Sequence, residues 1–324
     1  MNNERQISVI IPTVGRPLAL IRCLESLSRQ TLPVAEVVIV HCGQDEETVR
    51  VAKDRRWREA GIEISYHFHK VANAAMQRNF AIQSASYDNL LLLDDDIEVD
   101  SRWVEELLKP IWDDDAVGAT MGNVINQPMP TPTPFWRIYR ILLHGRQKGL
   151  KAGRLVGAAV PNGFPISAKE LIPCEWIGGG TSALRRQAFE SAGGFAPFFT
   201  GSSPGEDLDL GYRLSRTWKV YYVPSAICTH HQSSIGREHP GDQQYLWMRS
   251  HFGILKVSMA KGRIHSLAHI SLWALVQWLS ELANLRRGKL DINLPKAWLG
   301  RFRGFVSCFR WRPEDVVHIE ATNR

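Results

Sequence analysis

Apolar residues fall into short β-branched runs separated by stretches of helical spacing. Ile7–Ile11 reads as a strand, and Pro12-Thr13-Val14-Gly15-Arg16-Pro17 ends it. Leu18–Arg29 carries Leu20, Ile21, Leu24 and Leu27 at helical spacing. Glu36–Val40 is a second strand, Glu46–Arg58 a helix, Ile62–His67 a short third strand and Asn73–Ser84 a helix. Leu90–Leu93 is a fourth strand. Alternation of this kind predicts a parallel sheet with helices on both faces.

The stretch Leu90 to Asp96 reads Leu-Leu-Leu-Leu-Asp-Asp-Asp. A strand covered on both faces is continuously apolar. Three adjacent acids cannot extend it, because unpaired buried charge is too costly. The strand therefore ends at Leu93, and the carboxylates emerge where open α/β sheets bind ligands. Hard divalent ions take carboxylate oxygens and bridge to phosphates. The alternative is an acidic turn in which Asp96 or Asp100 caps the helix that follows.

Arg102–Trp112 then reads as a helix and Ala116–Ile125 as a strand. Residues 127–168 break the pattern, with four prolines among Gln127–Pro134, an aromatic–basic stretch at Phe135–Leu143, and Gly145–Ala168 rich in glycine and cations. They read as an irregular insertion, of the kind that forms lids or binding loops. Order returns with the glycine run Gly178-Gly179-Gly180 and a short helix at Arg186–Ser191. A helix opens at Gly205-Glu206-Asp207, and a strand at Lys219–Val223 is closed by Pro224. Residues 241–324 form a helical, basic extension, set apart from the α/β domain of residues 1–240. Its segment Ile264–Leu285 is of marginal apolarity for a membrane span.

Composition narrows the class. The net charge of +6 is uneven: residues 286–312 hold eight Lys or Arg and one acid. A basic tail suits an anionic membrane surface; nucleic acid is not expected, since the cations are confined to the tail. Five scattered cysteines include no Cys-x-x-Cys pair, which argues against a disulfide framework or zinc site and for a reducing compartment. The polar start, Met-Asn-Asn-Glu-Arg-Gln, does not read as a signal peptide. A cytoplasmic location is expected, with peripheral contact at the inner face of the membrane.

Four motifs in order resemble glycosyltransferase family 2, over roughly Ser8 to His231. They are Ser8-Val9-Ile10-Ile11-Pro12-Thr13, Gln77-Arg78-Asn79, Leu93-Asp94-Asp95-Asp96, and Gly205-Glu206-Asp207 with Leu210 and Arg213, followed by His230. The resemblance implies a GT-A-type, Rossmann-like mixed sheet, mostly parallel and flanked by helices. It implies an inverting transfer from a nucleotide-diphosphate sugar to a glycan or lipid-linked saccharide, with Mg2+ or Mn2+, in cell-surface polysaccharide synthesis.

On that resemblance Asp207 is the base, with Glu206 as the alternative. Asp96, Asp94 and His230 hold the metal. Pro12, Thr13, Arg16, Arg78, Asp94 and Asp95 contact the donor. One departure stands out: the family's second strand usually ends in an acid that contacts the nucleobase, whereas this one ends His41-Cys42-Gly43. Asp45 is the candidate substitute. A degenerate nucleotide-sugar-binding protein and a nucleotidyltransferase remain alternatives.

Overall fold

A computed structural model describes residues 5–127, 133–165, 167–233, 235–236, 238–286 and 293–312. The first half runs β1 (Ile7–Thr13), α1 (Pro17–Ser28), β2 (Glu36–His41), α2 (Glu46–Ala52), α3 (Arg55–Glu59), β3 (Glu63–Phe68), α4 (Ala74–Ser84), β4 (Asn89–Leu93), β5 (Ile97–Val99), α5 (Trp103–Asp113) and β6 (Val117–Val124). Next come α6 (Pro134–Gly149), β7 (Leu155–Val156), β8 (Val160–Pro161), β9 (Ile172–Pro173), β10 (Thr181–Arg185), α7 (Arg186–Ser191), α8 (Glu206–Leu214) and β11 (Lys219–His230). The chain continues with α9 (Pro240–Gly253), a π-turn at Ile254–Ser258, α10 (Arg263–Arg286) and α11 (Leu294–Cys308).

The main sheet has the order β3-β2-β1-β4-β10-β6-β11-β5, with β9 also on β11. β1, β2, β3 and β4 pair in parallel, as do β6 and β11. β10 is antiparallel to both its neighbours, and β5 and β9 are antiparallel to β11. Side chains alternate across the sheet. Ile10, Val38, Leu90 and Leu92 face one apolar layer; Val9, Ile11, Val37, Leu91 and Leu93 face the other. Covering on both faces explains the unbroken apolar run of β4. The C-terminal helices share the first layer through Met248, Phe252, Ile270, Trp273 and Cys308.

Four expectations change. The helix expected over 46–58 is two, because Asp54 accepts the Arg56 N–H at 3.0 Å and starts α3. Pro224 does not close its strand: β11 runs on to His230, and a register shift between Tyr222 and Ile227 absorbs the proline. The insertion is not irregular throughout. Residues 134–149 form α6, with Pro134 in the first turn and Thr133 at its cap, and β7 and β8 make a hairpin. The proline run over 128–132 lies outside the described residues.

Finally, the basic stretch is partly built into the fold as α11, packed on α9. There Arg301 donates to Glu281 at 2.5 Å and to Gln244 at 3.0 Å. Residues 287–292 and 313–324 of that stretch and its sequel lie outside the described ones. Among the described residues, no helix is long and apolar enough to cross a membrane.

Candidate active site

β1 and β4 are parallel neighbours, so Thr13 and Asp94 reach the same edge of the sheet. β10 enters antiparallel beside β4, with Thr181 opposite Leu93, and carries the glycine run to the same place. Gly180 has to be glycine: a Cβ there would lie 2.3 Å from Asp94 Cγ. The run lets backbone and carboxylate share one volume.

The three acids have different partners. Asp94 accepts from Arg78 Nη2 at 2.6 Å and keeps its side chain about a third exposed. Asp95 is buried, accepting from Thr13 Oγ1 at 2.5 Å and from Arg16 Nη1 at 2.9 Å. Burial pushes its carboxyl up to about 6, against Arg16 and Thr13. Asp96 lies 3.0 Å from His230 Nε2 and accepts the Ser233 N–H at 2.9 Å. Burial raises its pKa, but His230 and the Ser233 N–H outweigh it, and the carboxyl sits below its ordinary value. Neither Asp96 nor Asp100 caps α5 with its side chain; the Asp100 carboxylate accepts the Arg102 N–H at 3.2 Å, just ahead of the helix.

The second acidic group arrives on α8. Gly205, at φ +89°, turns the chain into the helix. Glu206 is buried, and its Oε1 accepts from Arg78 Nη1 at 2.7 Å. Burial and the Asp207 charge push Glu206 up, and Arg78 pulls it down. Asp207 is half-buried. Its Oδ2 accepts the Gly179 N–H at 3.0 Å and its Oδ1 the Leu208 N–H at 2.8 Å. Burial raises its pKa against those two donors. Acids at a helix N-terminus are favoured by the helix dipole alone. A link from Glu206 through one buried arginine to Asp94 goes beyond that.

Arg78 thus joins the two groups; it is 3 % exposed and holds a carboxylate on each terminal nitrogen. A cleft of about 250 Å3 lies over the junction, lined by Pro12, Thr13, Arg16, Arg78, Asp94, Asp95 and Glu206 among others. The structure therefore gathers most of the donor-site residues expected from sequence. Asp45 is not among the cleft's lining. Its carboxylate caps α2, taking the N–H groups of Glu47 and Thr48 and the Thr48 hydroxyl. His41 is buried at the end of β2, with Nδ1 3.0 Å from the Tyr66 hydroxyl. Trp176 packs in the core against Phe164 and is not a surface platform. The His231 ring pairs with Glu98 at 3.0 Å, while its backbone N–H donates to the Asp96 carbonyl at 2.8 Å.

Three groups make positioning contacts that the sequence did not assign to them. Gln77 is buried and donates to the carbonyls of Val40 and Thr13, tying α4 to the ends of β2 and β1. Asn73 caps α4 through the Met76 N–H and donates to the Phe199 carbonyl at 2.9 Å. Arg16 donates to the Ile235 carbonyl as well as to Asp95, so it ties the segment after β11 to the acidic corner. A capping Asn before α4 was legible in sequence; the other two depend on contacts far along the chain.

The donor set fits a divalent ion in part. Asp96 Oδ1 and His230 Nε2 face each other at 3.0 Å. Neighbouring ligands on an octahedral ion with bonds of about 2.1 Å stand about 3.0 Å apart. Asp94 is turned to Arg78, and no cluster of three or more His, Cys, Asp or Glu side chains is set for a metal among the described residues. Two protein ligands, completed by water and substrate phosphate, suit Mg2+ or Mn2+.

The family model for glycosyl transferase family 2 matches residues 8–174, more than half of the chain. The chondroitin synthase of Escherichia coli is 25% identical over 252 residues, which cover 73% of this chain and 36% of that protein. The hyaluronan synthase of Pasteurella multocida is 25% identical over 255 residues, covering 74% of this chain and 26% of its own. This chain thus spans about a third or less of the length of these relatives. Among solved structures, the mannosyltransferase PcManGT of Pyrobaculum calidifontis, in complex with GDP-Man and Mn2+, superposes with a TM-score of 0.55. The identity is 16%, and the match covers 94% of this chain and 86% of that one. That likeness is one of fold: the GT-A arrangement of a curled, mostly parallel sheet flanked by helices. With the family model spanning β1 through β9 and the acidic corner in place, the chain belongs to glycosyl transferase family 2.

Proposed function

We propose that this chain transfers a sugar, with inversion at its anomeric carbon, from a nucleotide-diphosphate sugar to a glycan or lipid-linked saccharide. The observation that carries the reading is the Asp94–Arg78–Glu206 chain, which fixes the acids of β4 beside those of α8. Pro12, Thr13 and Arg16 would line the nucleoside end of the cleft, and Asp94 and Asp95 the ribose and diphosphate end. Asp96 and His230 would hold Mg2+ or Mn2+, which as a Lewis acid neutralises charge on the departing diphosphate.

Asp207 would take the proton of the acceptor hydroxyl as its oxygen bonds to the anomeric carbon. The bond from that carbon to the diphosphate oxygen breaks on the opposite face. Glu206, held by Arg78, would position α8. Gly179 would orient the Asp207 carboxylate, leaving lone pairs for the acceptor.

The membrane reading rests on the surface of α10 and α11. Ile264, Leu275 and Trp278 are exposed along one, and Leu299, Phe302 and Val306 along the other, with Trp278 and Phe302 lining one groove. α11 holds no acid, while Lys296 and Arg303 are exposed on it. Such a face suits the interface of an anionic inner leaflet without crossing it.

The testing experiment is a thermal-shift panel of UDP, GDP, dTDP and CDP, each with Mn2+ and with EDTA. Binding to the native state raises its stability by mass action. A Mn2+-dependent shift with one nucleotide is expected. No shift with any of them would overturn the donor site and favour a degenerate binder.

A further inference from the structure

A second pocket, of about 220 Å3, shares no residue with the donor cleft. Apart from Glu175, its walls come from four parts of the chain. α6 supplies His144 and Lys148, and the β7 hairpin supplies Arg154 and Gly157. α8 and its end supply Tyr212 and Arg216, and the start of the C-terminal helices supplies Lys261 and His269. Six of these side chains are cationic or can become so. The one acid in the lining, Glu175, is committed: it pairs with Arg154 at 2.6 Å and accepts the Leu155 N–H at 2.9 Å. Among the described residues, Lys148, Arg216 and Lys261 have no carboxylate within ion-pair distance.

One of the two histidines has a defined donor. His144 Nε2 accepts the Gly157 N–H at 2.8 Å, so a neutral ring carries its proton on Nδ1. His269 Nδ1 is buried and has no hydrogen-bond partner among the described residues. The charged groups facing them are cationic except for Glu175. Burial first, then Arg154, Lys261 and Lys148, lower the His144 pKa, with Glu175 opposing. Burial, Lys261, His144 and His265 lower that of His269. Like charges gathered without compensation are unfavourable unless something of opposite sign joins them. Guanidinium and ammonium groups with imidazole N–H donors match the oxygens of a phosphate.

We propose that this pocket binds a phosphate group, separately from the donor's diphosphate. Tyr212 and Arg216 lie five and nine residues beyond Asp207 along α8 and its end. A phosphate there would sit on the same support as the candidate base. On the transfer reading above, the phosphate of a lipid-linked acceptor is one source; free phosphate or pyrophosphate is the other.

The experiment measures thermal stabilisation of the full chain, in EDTA and at fixed ionic strength, by inorganic phosphate, pyrophosphate and a short-chain phosphatidic acid. It is repeated on the double variant Arg216→Glu/Lys261→Glu. Saturable stabilisation of the parent by any of the three, lost in the variant, is the expected result. The compound that acts at the lowest concentration identifies the source. Nucleotide with Mn2+ serves as a control on both proteins, so failure of the donor site is read separately. A second readout is the 15N signals of His144 and His269, whose titration midpoints rise when the anion binds. No saturable stabilisation of the parent, or equal stabilisation of the variant, would overturn the proposal.

Discussion

Arg78 on α4 and Glu206 on α8 meet at 2.7 Å across 128 residues of sequence, and the same guanidinium holds Asp94 at 2.6 Å. The contact couples the strand edge that would hold a donor to the helix that would serve an acceptor. Both carboxylates depend on one buried cation. Breaking a buried pair by removing one partner typically costs about 3–5 kcal/mol, because the other charge is left uncompensated. Arg78→Met is expected to lose stability on that scale in urea unfolding. Arg78→Lys should recover part of it, since one ammonium cannot reproduce the two-armed geometry. An Arg78→Met midpoint equal to that of the parent would show that the bridge is not what joins the halves.

Asp207→Asn is expected to abolish transfer, by at least about a hundredfold, while nucleotide with Mn2+ still raises the melting temperature as in the parent. Retained turnover would remove Asp207 from the mechanism.

The same residue sets a pH limb. A base must be unprotonated, so activity falls as pH drops through its pKa. Burial raises that pKa above the ordinary carboxylate value. The acid limb of kcat/KM should therefore lie above pH 4, the range of an exposed carboxylate at about 3.9. A limb at or below that value would contradict the burial seen here.

Asp95 gives a stability test with the opposite sign to the usual carboxylate. Its native pKa is about 6, above the unfolded value of about 3.9. The native state then binds the proton more tightly, and this group's contribution to stability rises as pH falls from 7 towards 4. The difference is at most roughly 3 kcal/mol. Asp95→Asn should remove this component from the pH dependence of urea unfolding. An unchanged slope would assign the pH dependence elsewhere.

Asp96 and His230 form the proposed metal pair. His230→Ala and Asp96→Asn should each raise the half-saturating Mn2+ concentration for nucleotide binding, by about tenfold or more. His231→Ala should leave it unchanged, because His231 faces Glu98. Equal effects at 230 and 231 would contradict the assignment.

For the membrane face, Phe302→Asp with Leu299→Asp is expected to reduce sedimentation with phosphatidylglycerol vesicles by about tenfold or more, given about 1.5–3 kcal/mol per buried large apolar side chain. The fold should be kept, since both side chains are more than half exposed. Absence of vesicle binding by the parent would remove this reading.

How far the sequence could be read depended on how local each signal was. β1, β2 and β4 are largely apolar runs covered on both faces, and they are visible without any partner. Thr181–Arg185 is a five-residue strand with two polar residues and an arginine, and only its place between β4 and β6 makes it one. β5 is three residues long and exists by pairing with β11. The acidic corner shows the same division. Three consecutive aspartates marked the end of β4, but not that Asp94 would turn to Arg78, Asp95 to Thr13 and Arg16, and Asp96 to His230. Asp45 shows the same limit: an acid after a strand and an acid capping a helix look alike until the Thr48 contact is seen.

β10 also bears on how the chain reaches its fold. It fills the middle of the sheet, yet it is made after β1, β2, β3, β4, β5 and β6. Until residue 185 has left the ribosome, β4 and β6 each present an open edge of buried-type residues, ready to pair wrongly with other chains. A fragment cut at residue 174, where the family match stops, would hold these edges open permanently. Its expected fate is aggregation, however complete its acidic motif.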